Sequence, residues 1–331
     1  MTTMQTLRYE LVLEAVTPIA HHAETIGNQA IAMRRKVRQP HGGFVGVPYI
    51  TGDTVRHKIR EAASYAFLDA AGMLGDVKLT EAALRLLFAG GMVTGNGDGS
   101  TIKLDHYREM TDLVPPLALL GGCAENRVIP GKMNVEDALL ICSETAHLIP
   151  AWMLAWAREN GGLESARENI EEVTRVRMDP TLVPEKRLLL SDGSKAAVES
   201  RLSASEAAAA EGDAVGADRA KSSMMPRSHE TIVAGARFAW RIEARTHSEL
   251  ERDTFHLMLA AFLENARVGG KQGTGHGQIR AVTGRDITVH PASIPGTDIT
   301  LAAWSRNGDL FRRHVSERRE RIAEFLRKVD A

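Results

Sequence analysis

Apolar residues recur along this chain in two rhythms, one near period two and one near 3.6, with glycine and proline between them. Residues 6–20 carry the first rhythm. Leu7, Tyr9, Leu11 and Leu13 fall on one side and Arg8, Glu10 and Glu14 largely on the other, which predicts a strand with one buried face. From His21 to Gly46 no period is sustained, and Gly27, Pro40, Gly42 and Gly43 interrupt the stretch. It reads as a loop too long to be a mere connector. A helix follows: Thr51 or Asp53 can cap it, Val55, Ile59, Ala63, Phe67 and Ala70 recur at helical spacing, and Gly72 ends it.

Residues 79–90 predict another helix and 90–105 a glycine-rich turn region. Pro115-Pro116 and Gly121-Gly122 are expected to break any helix. Lys132, Asn134 and Glu136 alternate with Met133 and Val135, so a strand starts near Gly131; residues 146–160 predict a short helix with Trp152 and Trp156 four apart. Residues 191–223 hold only Val198, Leu202 and Val215 as sizeable apolar residues, which predicts a mobile or projecting insertion with room for a short Ala-rich helix. Alternation returns around Gly235 with Ile232, Phe238, Trp240 and Ile242, as a strand pair or a bent strand. A helix over 248–267, a glycine-rich loop running into a strand, and a C-terminal helix over 305–331 complete the pattern. The order of elements predicts an α+β fold with a split-βαβ core and insertions.

Composition narrows the function. Lys and Arg number 41 against 42 Asp and Glu, for a net charge of -1, so a globally basic nucleic-acid binder is excluded and a locally basic one is not. The two cysteines, Cys123 and Cys142, have no metal-ligand spacing and suit a reducing, cytoplasmic setting. No signal-peptide core or membrane-length apolar run is present, so the expectation is a soluble protein.

Four segments could carry chemistry. Gly269, Gly270, Lys271, Gln272, Gly273, Thr274, Gly275, His276 and Gly277 form a loop whose glycines allow φ > 0 and expose main-chain N–H groups, able to hold phosphate oxygens beside a lysine. The same composition suits a flexible turn, and the order of a nucleotide P-loop is absent. Arg34, Arg35, Lys36 and Arg38 repel one another unless an anion lies near. Arg56, His57, Lys58 and Arg60 follow closely, and Arg56 and Arg60 share a helix face. A solvated surface is the simpler account of either run alone; two in a neutral chain point to phosphate contacts. His21, His22, His57 and His276 show no ligand spacing, and no nucleophile motif occurs. Met224-Met225-Pro226-Arg227 could wedge between bases or close the insertion onto the core.

Together these segments resemble the RAMP superfamily of CRISPR proteins, and within it the backbone (filament) subunit of multi-subunit effector complexes. Val47-Pro48-Tyr49-Ile50-Thr51-Gly52-Asp53 with the basic helix after it, Leu120-Gly121-Gly122 through Gly131-Lys132 to Val135-Glu136-Asp137-Ala138, and the Gly269–Gly277 loop match three family blocks in the family's order. The resemblance implies an RRM-like or ferredoxin-like core with hand-like palm, fingers and thumb in a single domain. The parts would be a basic loop at 21–46, an inserted finger region at 76–165, a thumb at 175–230 and a C-terminal helix at 305–331. It implies guide RNA (crRNA), further copies of the chain, other effector subunits and a base-paired target nucleic acid as partners, with no cofactor, metal or membrane. RNA contacts would come from Asn28, Arg34, Arg35, Lys36, Arg38, Thr51, Arg56, Lys58, Arg60, Met224, Met225, Arg227 and the loop from Gly269 to His276.

The resemblance also bears on catalysis. Type III relatives cut target RNA with an Asp in the first loop. Here that place falls near Gln29 or Ala30, neither a carboxylate, and Glu24 lies before the motif. The expectation is therefore a non-catalytic subunit. The alternatives are an endoribonuclease of the type III kind, one that processes guide precursors with His21, His22 or His276, or a phosphate-binding small-molecule enzyme. The first loop and the Gly-Thr-Gly-His-Gly ending are most similar to type IV, which would bring a DinG-type helicase partner.

Overall fold

Strand β1 (Gln5–Ala15) buries Leu7, Tyr9, Leu11 and Leu13 as its alternation predicts. Each such burial stabilises the fold by roughly 2 kcal/mol. The other face is not simply wet: Val12 is fully buried and Glu10 nearly so. A computed structural model supplies this and all other geometry. It describes residues 4–75, 78–92, 104–124, 127–176, 178–210, 226–288, 297–298 and 308–329.

The 21–46 stretch, expected as one loop, forms three short strands instead: β2 (His22–Ile26), β3 (Gln29–Ala32) and β4 (Arg34–Arg38). β5 (Phe44–Ile50) returns beside β4. Helix α1 (Gly52–Ala70) starts at Thr51, whose side chain accepts the Thr54 N–H, and buries Val55, Ile59, Ala63 and Phe67. Helices α2 (Glu81–Ala89), α3 (Leu104–Leu113) and α4 (Pro115–Leu120) follow. The expected break is there: α3 ends at Leu113 and Val114 is not helical, and Pro115 and Pro116 then begin α4. At the first helical positions a missing N–H costs nothing and the fixed φ is already helical. A ribbon of β6 (Gly122–Ala124) and β7 (Arg127–Ile129) leads to β8 (Met133–Val135) and β9 (Ala138–Leu140). Next come α5 (Ala151–Glu159), β10 (Ile170–Arg175), the short α6 (Pro184–Arg187) and α7 (Asp192–Ala210). The chain continues through β11 (Arg227–Ile232), β12 (Arg237–Thr246), α8 (Glu249–Glu264), β13 (Ile279–Asp286) and β14 (Thr297–Asp298). The single C-terminal helix expected is two, α9 (Asp309–Glu317) and α10 (Arg319–Lys328), separated at Arg318.

The fold is α+β and forms two compact units. The first takes residues 1–21, 33–170 and 232–331. Its sheet runs β14-β13-β1-β12-β9-β5-β4, with β8 also on β12. The four strands β13-β1-β12-β9, antiparallel throughout, with α1 and α8 as crossovers, are the ferredoxin-like core that the split-βαβ reading expected. Trp240, Phe238 and Phe255 lie in its main core. A second cluster holds Phe67, Leu86, Met110, Phe311, Ile322 and Leu326. On the far side of β1, Val12 packs with Met153 and Ala157 of α5. There Trp152 Nε1 and Arg241 both donate to the Glu10 carboxylate, at 2.6 Å each, which is why Glu10 can be buried.

The second unit takes residues 22–32 and 171–231, with a sheet of order β10-β11-β3-β2. α7 is longer than the short helix expected and buries only Ser205 along 19 residues. Arg201 ties it down, donating to Asp179 Oδ2 (3.2 Å) and Thr181 Oγ1 (2.6 Å). No helix among the described residues is long and apolar enough to cross a membrane.

Candidate nucleic-acid interface

The first basic run is the edge strand β4 of a two-stranded hairpin. Its register pairs Arg34 with Pro48, Lys36 with Gly46 and Arg38 with Phe44. Period two then separates the side chains. Val37 enters the core and Arg34, Lys36 and Arg38 share the opposite, exposed face. Arg35 projects on the Val37 side, pairs with the Asp137 carboxylate and lies 5.0 Å from the Tyr49 ring centre. Lys36 and Arg38 make no ion pair among the described residues. Two cations two residues apart with no counter-charge raise the local potential and attract anions.

The second basic run differs. Arg56 donates to the carbonyls of Met133 (2.9 Å) and Leu120 (2.5 Å), and Arg60 to those of Leu120 (3.2 Å) and Gly121 (3.0 Å). Arg60 is only 8% exposed. Burial, and then the like charge of Arg56, lower its pKa from 12.5 to about 10, far enough above neutrality to keep it cationic. The expectation that Arg56 and Arg60 face phosphates is therefore corrected: both guanidinium groups are engaged with main-chain oxygens. Lys58 is half-buried and pairs with Glu61 at 2.7 Å. Thr51 is the α1 cap, its hydroxyl engaged with Thr54.

The glycine loop wraps a 3-10 turn, Gln272–Thr274, entered through Lys271 in the left-handed region (φ 57°). Its two ends are locked. A Cβ on Gly269 would stand 2.6 Å from the Ala20 carbonyl oxygen, and one on Gly277 2.1 Å from that of Val268. Its middle is open, and nothing lies within 4 Å of a Cβ built on Gly273. Gln272 Nε2 donates to the Gly269 carbonyl and Thr274 Oγ1 to that of Lys271, both at 2.9 Å. The main-chain N–H groups of Gln272 and Gly273, the first two of the turn, meet no acceptor among the described residues. Gly270, Lys271, Gly273, Thr274 and Gly275 are exposed and His276 is buried.

Loop and hairpin meet at Ala20–His21. The Ala20 carbonyl accepts the Gly270 N–H (2.7 Å), and the His21 carbonyl accepts that of Met33, just before β4 (2.7 Å). His21 Nε2 accepts the Thr51 N–H at the start of α1 (3.4 Å). Three segments separated by up to 250 residues in sequence thus share one dipeptide.

In the second unit, Asn28 is exposed in the β2–β3 turn, its carbonyl accepting the Ser228 N–H (3.1 Å), and Arg227 is exposed at the start of β11. Met224 and Met225 lie outside the described residues. His22 bonds the Glu230 carbonyl through Nε2 (2.9 Å), and its ring centre is 6.0 Å from that of His229. Gln29 donates to Glu172 (3.2 Å), and Glu24 is exposed on β2. Among the described residues no group of three or more His, Cys, Asp or Glu could hold a metal ion.

One residue that sequence reading quoted without a role is Asp137. Its Oδ1 accepts the Gly52 N–H at 2.6 Å, at the positive end of α1, while its carboxylate pairs with Arg35. Gly52 is needed there because a Cβ would stand 2.3 Å from the Val135 carbonyl oxygen. The Val47–Asp53 and Val135–Ala138 blocks are thus two halves of one clamp that orients the hairpin. Only their co-occurrence hinted at this.

No family model and no curated relative matches the chain. Among solved structures it is similar to a chain described as "Type IV-B CRISPR Complex", at 18% identity and a TM-score of 0.52, covering 88% of this chain and 93% of that one. The fold of this chain is thus that of a type IV-B CRISPR complex chain, the same type that its sequence motifs resemble.

Proposed function

We propose that the chain is a guide-RNA-binding backbone subunit of a CRISPR effector complex, non-catalytic, joining further copies of itself head to tail along the RNA and presenting the guide for target pairing. The observation that carries this reading is the meeting of the cationic hairpin and the open glycine loop at Ala20–His21, in a chain of net charge -1. Lys36, Arg38 and Lys271 would neutralise phosphates, and the N–H groups of Gln272 and Gly273 would receive phosphate oxygens. Such contacts read charge and shape, leaving sequence to base pairing. The unit of residues 22–32 and 171–231 is the proposed thumb, with Asn28, Arg227, Met224 and Met225 as its RNA contacts. The other effector subunits, target nucleic acid and a DinG-type helicase are the proposed partners.

The test is co-expression with a CRISPR array, purification, and extraction of the bound nucleic acid. Protected RNA of discrete length, lost on replacing Lys36, Arg38 and Lys271 together, is the expected result. Nucleic-acid-free protein, alone and with co-expressed effector subunits, would overturn it. Incubating the loaded protein with complementary RNA tests the alternative endoribonuclease reading. Cuts at regular spacing would remove the non-catalytic part of the proposal, and Glu24 and Glu172 would then be the carboxylates to replace.

A further inference from the structure

The exposed face of the β4–β5 hairpin carries more than charge. Phe44, directly across from Arg38, is 68% exposed, the most exposed aromatic side chain among the described residues. Tyr65, next at 52%, has its ring 5.1 Å from Phe88, edge to face, whereas Phe44 makes no ring contact among the described residues. Two places along β5 on the same face is Gly46, opposite Lys36 and also exposed, so β5 sets no side chain of its own at that place beside Phe44. The Arg34 side chain runs alongside Gly46, its Cδ 3.4 Å from where a Cβ would stand.

The geometry points to Phe44 as a stacking platform for one unpaired nucleobase of single-stranded RNA, with Lys36 and Arg38 on the phosphates to either side. The site deepens the guide-RNA reading above and rests on it. An aromatic face among cations is the arrangement that holds single strands without regard to sequence, because every base has a π-face and every linkage a phosphate. Same-face residues on a strand are about 7 Å apart, so Lys36 and Arg38 can engage neighbouring phosphates while the base between them turns onto the ring. A duplex keeps its bases stacked on one another and offers this ring nothing to cover it. The hairpin also fixes the place of Phe44 on the strand: the register puts it at the mouth of the Gln39–Gly43 turn, where the Gln39 N–H donates to the Gly43 carbonyl (3.1 Å).

The experiment uses the full chain and a single-stranded RNA of about 12 nucleotides with 2-aminopurine at alternate positions, whose fluorescence is quenched on stacking against an aromatic ring. The wild-type chain is expected to bind and change the quench. F44A should lose that change and bind about 10-fold more weakly. F44L, apolar but without a π-face, should behave like F44A, and F44W should restore both signals. K36A/R38A should keep the quench at low salt while the slope of log affinity against log salt falls by about 1.4. F44A and F44L indistinguishable from wild type, with RNA still bound, would overturn the platform and leave the guide-RNA reading standing. A wild-type chain that binds no single-stranded RNA would overturn both. Polyglutamate competing as well as RNA, with equal sensitivity to F44L, would make the ribbon a site for acidic chains in general and would also overturn the base platform. Because Phe44 is exposed, thermal unfolding of all three variants should match wild type, which separates a lost contact from a lost fold.

Discussion

Arg34–Arg38 and Arg56–Arg60 look alike in sequence, two basic runs some 20 residues apart, yet they have opposite fates. The first is an edge strand with one apolar anchor, Val37, so every second cation must face out. The second lies on a helix that buries one face along its length, where the carbonyls closing α4 and opening β8 need donors. The difference teaches that a run of cations announces a ligand only where the protein has no carbonyls or carboxylates of its own to offer. The same split recurs inside the hairpin, where Arg35 pairs with Asp137 and Lys36 makes no ion pair among the described residues. The largest expected effect follows from the helix side. Arg60→Ala removes a charged donor from two buried carbonyls and should destabilise the chain by about 3 kcal/mol in urea unfolding. Arg60→Lys should recover only part, since a point charge cannot span both oxygens. An Arg60→Ala chain that unfolds with wild-type stability but releases RNA would erase the contrast.

What was legible in the sequence follows the same physics. β1, α1 and α8 announce themselves because a long apolar face repeats, and Thr51 was readable as a cap because a hydroxyl before a helical face has one common use. β2, β3 and β4 were not readable. Each is four or five residues long, and β4 buries one side chain in five. Pro115-Pro116 was legible as a break, and α3 does stop at Leu113, but not as the start of α4, because a proline pair looks the same at the start of a helix as in its interior. The candidate site was half legible: the glycine loop and basic run stood out, whereas their junction did not. Ala20 and His21 join them through main-chain hydrogen bonds, to which most side chains are indifferent. Asp137 was hidden for a similar reason, since nothing local to residue 137 indicates that its partners are the Gly52 N–H and Arg35.

The glycine loop offers a second and smaller version of the contrast. Gly277 is held by the fold, with φ at 87° and the Val268 oxygen where a side chain would begin, whereas Gly273 borders open space and has no such backbone demand. Gly277→Ala should cost about 2 kcal/mol or more. Gly273→Ala should leave unfolding within about 0.5 kcal/mol of wild type and still weaken RNA binding, measured on the same protein by filter binding, because the added methyl stands where a phosphate would approach the turn. If Gly273→Ala left RNA binding unchanged, the open centre of the loop would be surface and not site.

The smallest effect on stability, and the sharpest on function, belongs to the hairpin. Replacing Arg34, Lys36 and Arg38 with Ala removes three exposed side chains, of which Lys36 and Arg38 have no ion pair to lose among the described residues. Each change should move stability by less than about 0.5 kcal/mol. Relief of like-charge repulsion on one strand face should make the triple variant slightly more stable than wild type, and calorimetry at low and high salt should show the gain shrinking as screening rises. Against RNA the same variant should lose about 2 in the slope of log affinity against log salt, near 0.7 for each phosphate contact on a single strand. A variant that lost stability and kept its salt slope would mean that these cations serve the fold after all. They would then belong with Arg56 and Arg60, and the phosphate contacts would have to lie with Lys271 and the loop alone.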